Sequence, residues 1–201
     1  MEFGMPIGAL MTASINLAGK SFDELMGLFF CEVIDDDDFY DVVAVELAKG
    51  YRHALEGMLD VLSSKRLRAG ICGLGMASSA DSGLVIKKFL HHDDALVVAA
   101  AIDGLRWIGS LEWPIISSQL NHPSPYVRGA ALRYAKSALG KGALSLLLAS
   151  LDDEDSIVRE NAIDELDGLI SVDNSYLVAP YLDDPAAHVR QAAQALLDSL
   201  R

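Results

Sequence analysis

Four stretches decide the fold: Leu90-His-His-Asp-Asp-Ala-Leu-Val97-Val98, Leu120-Asn-His-Pro-Ser-Pro-Tyr-Val127-Arg128, Leu151-Asp-Asp-Glu-Asp-Ser-Ile-Val158-Arg159 and Leu182-Asp-Asp-Pro-Ala-Ala-His-Val189-Arg190. Each opens with Leu, passes through six mostly polar or turn-forming residues and closes on Val. The Val positions 97, 127, 158 and 189 set a period of 30 or 31 residues. A fixed period of this size signals stacked supersecondary units. Stepping back 30 from Val97 reaches Leu67-Arg68, which opens another apolar run, so about five units span 59–201.

Within a unit the pattern is helical. Counting from the Val, apolar or small residues recur at plus 4, plus 8 and plus 11: Ala131, Ala135 and Ala138; Ala162, Leu166 and Leu169; Ala193, Leu197 and Leu200. That spacing is one face of an α-helix. A shorter helix precedes each: Gly83 to Leu90, Trp113 to Leu120, Ala143 to Leu151 and Tyr176 to Leu182. Pro123 and Pro125 start the long helix of one unit. Asp184-Pro185 reads as N-cap and first helical residue of another. Gly104, Gly140, Gly142 and Gly168 fall late in or just after the long helices, and some end them. A single helix pair cannot bury its apolar face, so neighbours stack and share a core, with concave and convex surfaces. Ala99 to Ala101, Ala130-Ala131 and Ala192-Ala193 allow close helix approach.

These turns and alanine-rich helices resemble HEAT-like repeats of the short bacterial type, as in phycobilin-lyase-like repeat proteins. The resemblance covers about 140 residues and implies an all-α, right-handed superhelical solenoid of antiparallel helix pairs. It also implies a ladder between neighbouring units, carried here by Asp153 and Asp184 with Arg128, Arg159 and Arg190. Arg68 stands in the same column, and Val98 breaks the series.

Residues 21–58 do not fit the repeat. Ser21-Phe-Asp-Glu reads as a capping box opening a helix through Phe30, and a second helical run extends from Phe39 to Leu62. This segment reads as a divergent cap closing one end of the core. Residues 1–20 read as a loosely held tail. The expected organisation is therefore tail, cap and repeats in one continuous domain.

The chain has 201 residues, with 16 Lys and Arg against 29 Asp and Glu, a net charge of −13. Such an excess repels phosphate backbones, which disfavours nucleic-acid binding, including that of HEAT-like alkylpurine DNA glycosylases. It suits a basic protein partner. Two cysteines, Cys31 and Cys72, in apolar stretches argue against a disulfide scaffold and for a reducing, cytoplasmic setting. The longest uncharged run, Phe3 to Gly19, is too polar for a membrane span, and only Glu2 precedes it, unlike a signal peptide.

Signals for catalysis are thin, and the chain reads as a non-enzyme without cofactor or metal. None of His53, His91, His92, His122 and His188 is followed by Glu, so the His-Glu pairs of di-iron HEAT-repeat hydroxylases are absent. His92 and His122 share a column with Asp153 and Asp184, but stacked positions lie about 10 Å apart. That is too far for one zinc with ligands at about 2 Å. A site built from His91, His92 and Asp93 competes with an ordinary surface turn. Gly70-Ile-Cys-Gly73-Leu-Gly75 mimics a phosphate loop, but no strand precedes it, and close helix packing explains the glycines. Cys72 reads as core rather than nucleophile.

Two groups are candidate partner contacts. The run Asp35, Asp36, Asp37 and Asp38 could dock a basic surface, or form a solvated turn that caps the next helix. It lacks the glycine and the twelfth-position Glu of an EF-hand loop. The second group is Arg106, Trp107, Arg133, Lys136, Asp164 and Asp167 on the long helices, with Trp107 as an aromatic anchor. Equally, Trp107 could tuck against Trp113; Tyr126 and Tyr134 could extend either arrangement. The functional expectation is a non-catalytic protein-interaction module, of inhibitor or immunity type against a basic toxin or enzyme. The alternative is a bilin lyase or chaperone.

Overall fold

A computed structural model describes residues 17–32, 36–77 and 80–201. Its described residues form helices and turns only. They fall into two compact units, Met1–Ser110 and Leu111–Arg201.

In the first unit, α1 (Phe22–Phe29) starts at the expected capping box: Ser21 caps Glu24 N–H while the Glu24 carboxylate accepts from Ser21 N–H. Helix α2 (Asp37–Met58) is long but kinked at Tyr51, where φ is −140° and ψ 37°; the Tyr51 ring tilts against Phe22. A 3-10 turn, Leu59–Val61, leads to α3 (Ser64–Met76). The first regular pair follows: α4 (Gly83–Lys87) with a 3-10 extension through His91, then α5 (Ala95–Trp107). Helix α3 packs between α2 and α5. Phe29, Val43, Leu47, Leu55, Ile71, Leu74, Ile102 and Leu105 are fully buried among them. Of the expected tail, residues 1–16 lie outside the described residues; Leu17 is buried, and its carbonyl accepts from Lys20 N–H in a turn leading to α1.

The glycines of α3 confirm close packing. A Cβ on Gly73 would lie 2.5 Å from the Ala44 carbonyl carbon, and one on Gly75 would lie 2.6 Å from Gly104 Cα. Helices α2, α3 and α5 therefore touch backbone to backbone, and no phosphate loop exists here.

In the second unit, α6 (Trp113–Ile116) continues as a 3-10 turn to Asn121 and precedes α7 (Pro125–Leu139). Helix α8 (Leu144–Ser150) precedes α9 (Ser156–Glu165), and two 3-10 turns, Val172–Leu177 and Ala179–Asp183, precede α10 (Ala187–Ser199). Helix α9 packs against both α7 and α10. Leu132, Leu147, Leu151, Val158, Ile163, Leu166, Val189 and Leu196 fill the core between the pairs.

Three expectations need correction. The helix expected from Tyr176 to Leu182 is 3-10 throughout its ordered turns, because Pro180 lacks the N–H that an α-helix would use there. Asp184 is not an N-cap: α10 starts at Ala187, after Ala186. The Asp184 carboxylate is spent on Arg159 and on Ala186 N–H instead. Gly104 lies late in α5, as expected, and is buried there rather than ending the helix. Gly140 and Gly168 do follow long helices with φ of +53° and +72°, a region that penalises a side chain. Ala138 faces solvent rather than the core, one residue before the end of α7.

Candidate interaction site

The long helices of the second unit are locked by a repeated device at their starting turns. Arg128 Nε and Nη2 donate to the two carboxylate oxygens of Asp153 at 3.0 and 2.7 Å. Arg159 does the same to Asp184 at 2.8 and 2.9 Å. In each case Nη1 donates to two carbonyls of the arginine's own turn, His122 and Pro123 or Asp153 and Glu154. Arg190 Nη1 is placed identically, on the carbonyls of Asp184 and Pro185. Planar guanidinium is the side chain suited to such a fork. The arginines hold the carboxyls of Asp153 and Asp184 below the ordinary aspartate range, against the opposing effect of burial, which for Asp153 is the larger single influence.

The ladder column also explains two histidines. Asp153 and Asp184 each accept from the backbone N–H two residues on. His92 and His122 make the same turn bond through Nδ1, to Asp94 N–H and Ser124 N–H, both at 3.0 Å. A ring nitrogen that accepts a backbone proton carries none itself, so these histidines serve the turn. Among the described residues, no group of three or more His, Cys, Asp or Glu could hold a metal ion.

Of the aspartate run, Asp35 lies outside the described residues. Asp36 is the N-cap of α2 and accepts from Asp38 N–H. Asp37 pairs with Lys65 at 2.8 Å and Arg68 at 3.6 Å; the Lys65 hydrogen bond leads in holding its carboxyl below the usual range. Asp36 thus caps a helix, and Asp37 ties α2 to α3.

The second candidate group divides between the units. Arg106 and Trp107 belong to the first. Arg106 pairs with Asp103 at 3.2 Å and lies 5.3 Å from the Trp107 ring centre. The ring edge rests over Gly75, and Trp107 remains 37% exposed. Arg133, Lys136, Asp164 and Asp167 belong to the second. Arg133 donates to the Asn161 amide oxygen, whose nitrogen donates to Ile157 C=O; Lys136 lies 3.5 Å from Glu165. Asp164 sits among Glu160 and Glu165. Its carboxyl is pushed up to about 6, first by lost hydration and then by these two acids. The side chain is nevertheless exposed, so solvent screens part of both effects. The outward side of α9 is therefore an acidic row with Arg133 and Lys136 at its border. Sequence reasoning passed over Glu160 and Glu165, although Glu160 stands four residues before Asp164 on one helix face and Glu165 directly follows it.

Both cysteines are free thiols. Burial raises the Cys72 thiol far above its ordinary value, with Asp41 and Asp103 adding to the effect, so it is a poor nucleophile.

The fold thus defines an all-helical repeat protein built from stacked helix pairs. Residues 113–198 match the family model for HEAT repeats. A crystal structure of an engineered protein from the Northeast Structural Genomics Consortium is similar at 17% identity and TM-score 0.47, over 89% of this chain and 95% of that one. Comparison with curated proteins gave no match. HEAT repeats are a scaffold for protein interaction, through the extended surface that stacked pairs present. Among the described residues no helix is long and apolar enough to cross a membrane.

Proposed function

We propose that this chain is a non-catalytic interaction module that docks a basic protein, as an inhibitor or immunity-type protein does. The observation that carries the reading is the acidic row on α9, where Glu160, Asp164 and Glu165 crowd one another in a chain of net charge −13. Lysine or arginine from a partner relieves that repulsion, so the attraction is largest where the free protein is least comfortable. In the first unit, taken by itself, the aspartates at 35–38 add acidic character and the part-exposed Trp107 offers an aromatic contact. The two free thiols support an intracellular setting for this role.

The test is capture of partners by the tagged chain at low and moderate salt, repeated with Asp164→Lys. A single stoichiometric basic protein, lost both with salt and with the variant, supports the reading. Binding indifferent to both overturns it. A tight shift of DNA or RNA at low salt would also overturn it, and an absorbance change with a bilin would favour the lyase alternative.

A further inference from the structure

A cavity of about 470 Å³ lies in the first unit at the start of α3. Its walls carry an uncommon set of groups for so acidic a chain. Arg66 is only 9% exposed. Its guanidinium stacks on the Tyr40 ring at 3.4 Å and lies 5.8 Å from the Phe29 ring centre. Nη2 donates to Cys31 C=O at 2.9 Å, but Nη1 is buried and has no acceptor among the described residues. A buried charged donor without a partner is costly, and native proteins rarely keep one without a reason.

The rest of the wall points the same way. Leu62, Ser63, Lys65 and Arg66 line the cavity, so the opening turn of α3 forms one side of it. That helix runs 13 residues, its N-cap Ser63 makes no capping bond, and its first turn contains no acid. Helix starts of this kind attract anions through unclaimed N–H groups and the helix dipole. The lining also has an apolar part: Phe30 and Val61 line the cavity and are 47% and 84% exposed. Glu32 also lines it and Asp37 already neutralises part of Lys65, so the site suits one negative charge rather than two.

From these groups we infer that the Arg66 cavity binds a single carboxylate attached to an apolar group, the carboxylate at Arg66 and the α3 start, the apolar part against Phe30 and Val61. This goes beyond the docking reading and does not depend on it. The carboxylate source is either a small organic acid or the C-terminus of a peptide ending in an apolar residue, since both present the same chemistry.

The experiment titrates the full chain with 4-phenylbutyrate, with 4-phenylbutyramide, with inorganic phosphate and with a short acetylated peptide ending in Phe, as free acid and as amide. Amide-resonance shifts in a labelled sample report the site. A ligand this small is expected to bind at about millimolar concentration. The expected result is binding of one or both acids, shifts centred on residues 30, 40 and 61–66, and at least about tenfold weaker binding of the corresponding amides. Which acid binds more tightly identifies the source. Arg66→Gln should abolish binding. Because that variant could also unfold the cap, Val61→Glu, at an exposed position, provides the second probe and should weaken the acids about tenfold or more. Equal binding of acids and amides, phosphate binding as tight as the acids, shifts elsewhere, or no response in the millimolar range overturns the assignment.

Discussion

Arg159 and Asp184 form a two-bond fork, 2.8 and 2.9 Å, with the carboxylate 5% and the guanidinium 13% exposed. The same Asp184 oxygen that takes Nη2 also accepts Ala186 N–H at 2.8 Å. One carboxylate thus fixes both the neighbouring helix pair and its own turn.

Breaking the fork from one side strands the other charge. Arg159→Met should lower unfolding stability by about 3 kcal/mol, since a largely buried ion loses its counter-ion. Arg190→Met, at the corresponding position but exposed and without a carboxylate, should cost under about 1 kcal/mol. Denaturant titration of the two variants checks the contrast; equal losses would deny the ladder its role.

Glycines at helix crossings should behave oppositely to glycines in open space. Gly73→Ala places a methyl 2.5 Å from the Ala44 backbone and should cost about 1–3 kcal/mol or more. Gly27→Ala in α1 meets nothing within 4 Å and should gain about 0.5–1 kcal/mol. Thermal unfolding of both variants gives the sign directly.

Asp41 on α2 makes stability depend on pH. Burial, reinforced by Asp38, Asp37 and Asp36 and opposed by Arg68, pushes its carboxyl up from 3.8 to about 6. Between those values the folded state binds more protons than the unfolded chain, so this group's contribution falls as pH rises from about 4 to 6 and is then flat. Asp37, Asp153 and Asp184, held low, act in the other direction and lose their contribution in stronger acid. Asp41→Asn should therefore raise the melting temperature at pH 7.5 relative to pH 5. A wild-type and a variant curve that run parallel would refute the assignment.

Cys72 should resist thiol reagents. With its thiol raised by burial, alkylation at pH 8 should run at least about tenfold slower than for an unstructured cysteine. Mass spectrometry of the Cys31→Ser variant follows Cys72 alone, and rapid labelling in the folded protein would contradict the buried placement.

The repeat was legible because three independent signals share one period: the Leu-to-Val turn, the Arg after it and the apolar helix face. The Arg128 and Arg159 partners followed from the same column. Asp184 was misread because a local rule, Asp before Pro as a helix start, competed with a long-range partner 25 residues away. Tyr176 to Leu182 was misread because the apolar face tolerates 3-10 winding as well as α. The Arg66 cavity left no trace in periodicity: Arg66 reads as one more charge beside Leu67, and only the packing of α1, α2 and α3 shows that it is buried. The α9 row was partly legible, through Asp164 but not Glu160 or Glu165, and Asp167 falls just past the end of α9.

The turns of the second unit also form a mechanical thread. Arg128 grips the carboxylate of the turn at Asp153; Arg159 grips that turn's carbonyls and reaches the carboxylate of the next; Arg190 grips the carbonyls there. Along that edge, polar bonds resist stretching. The packing between α7, α9 and α10 is carried by apolar side chains such as Leu132, Val158 and Leu196, which tolerate small sliding. The turn edge is therefore the stiff seam of the unit, and a load along the stack falls first on these charged bonds.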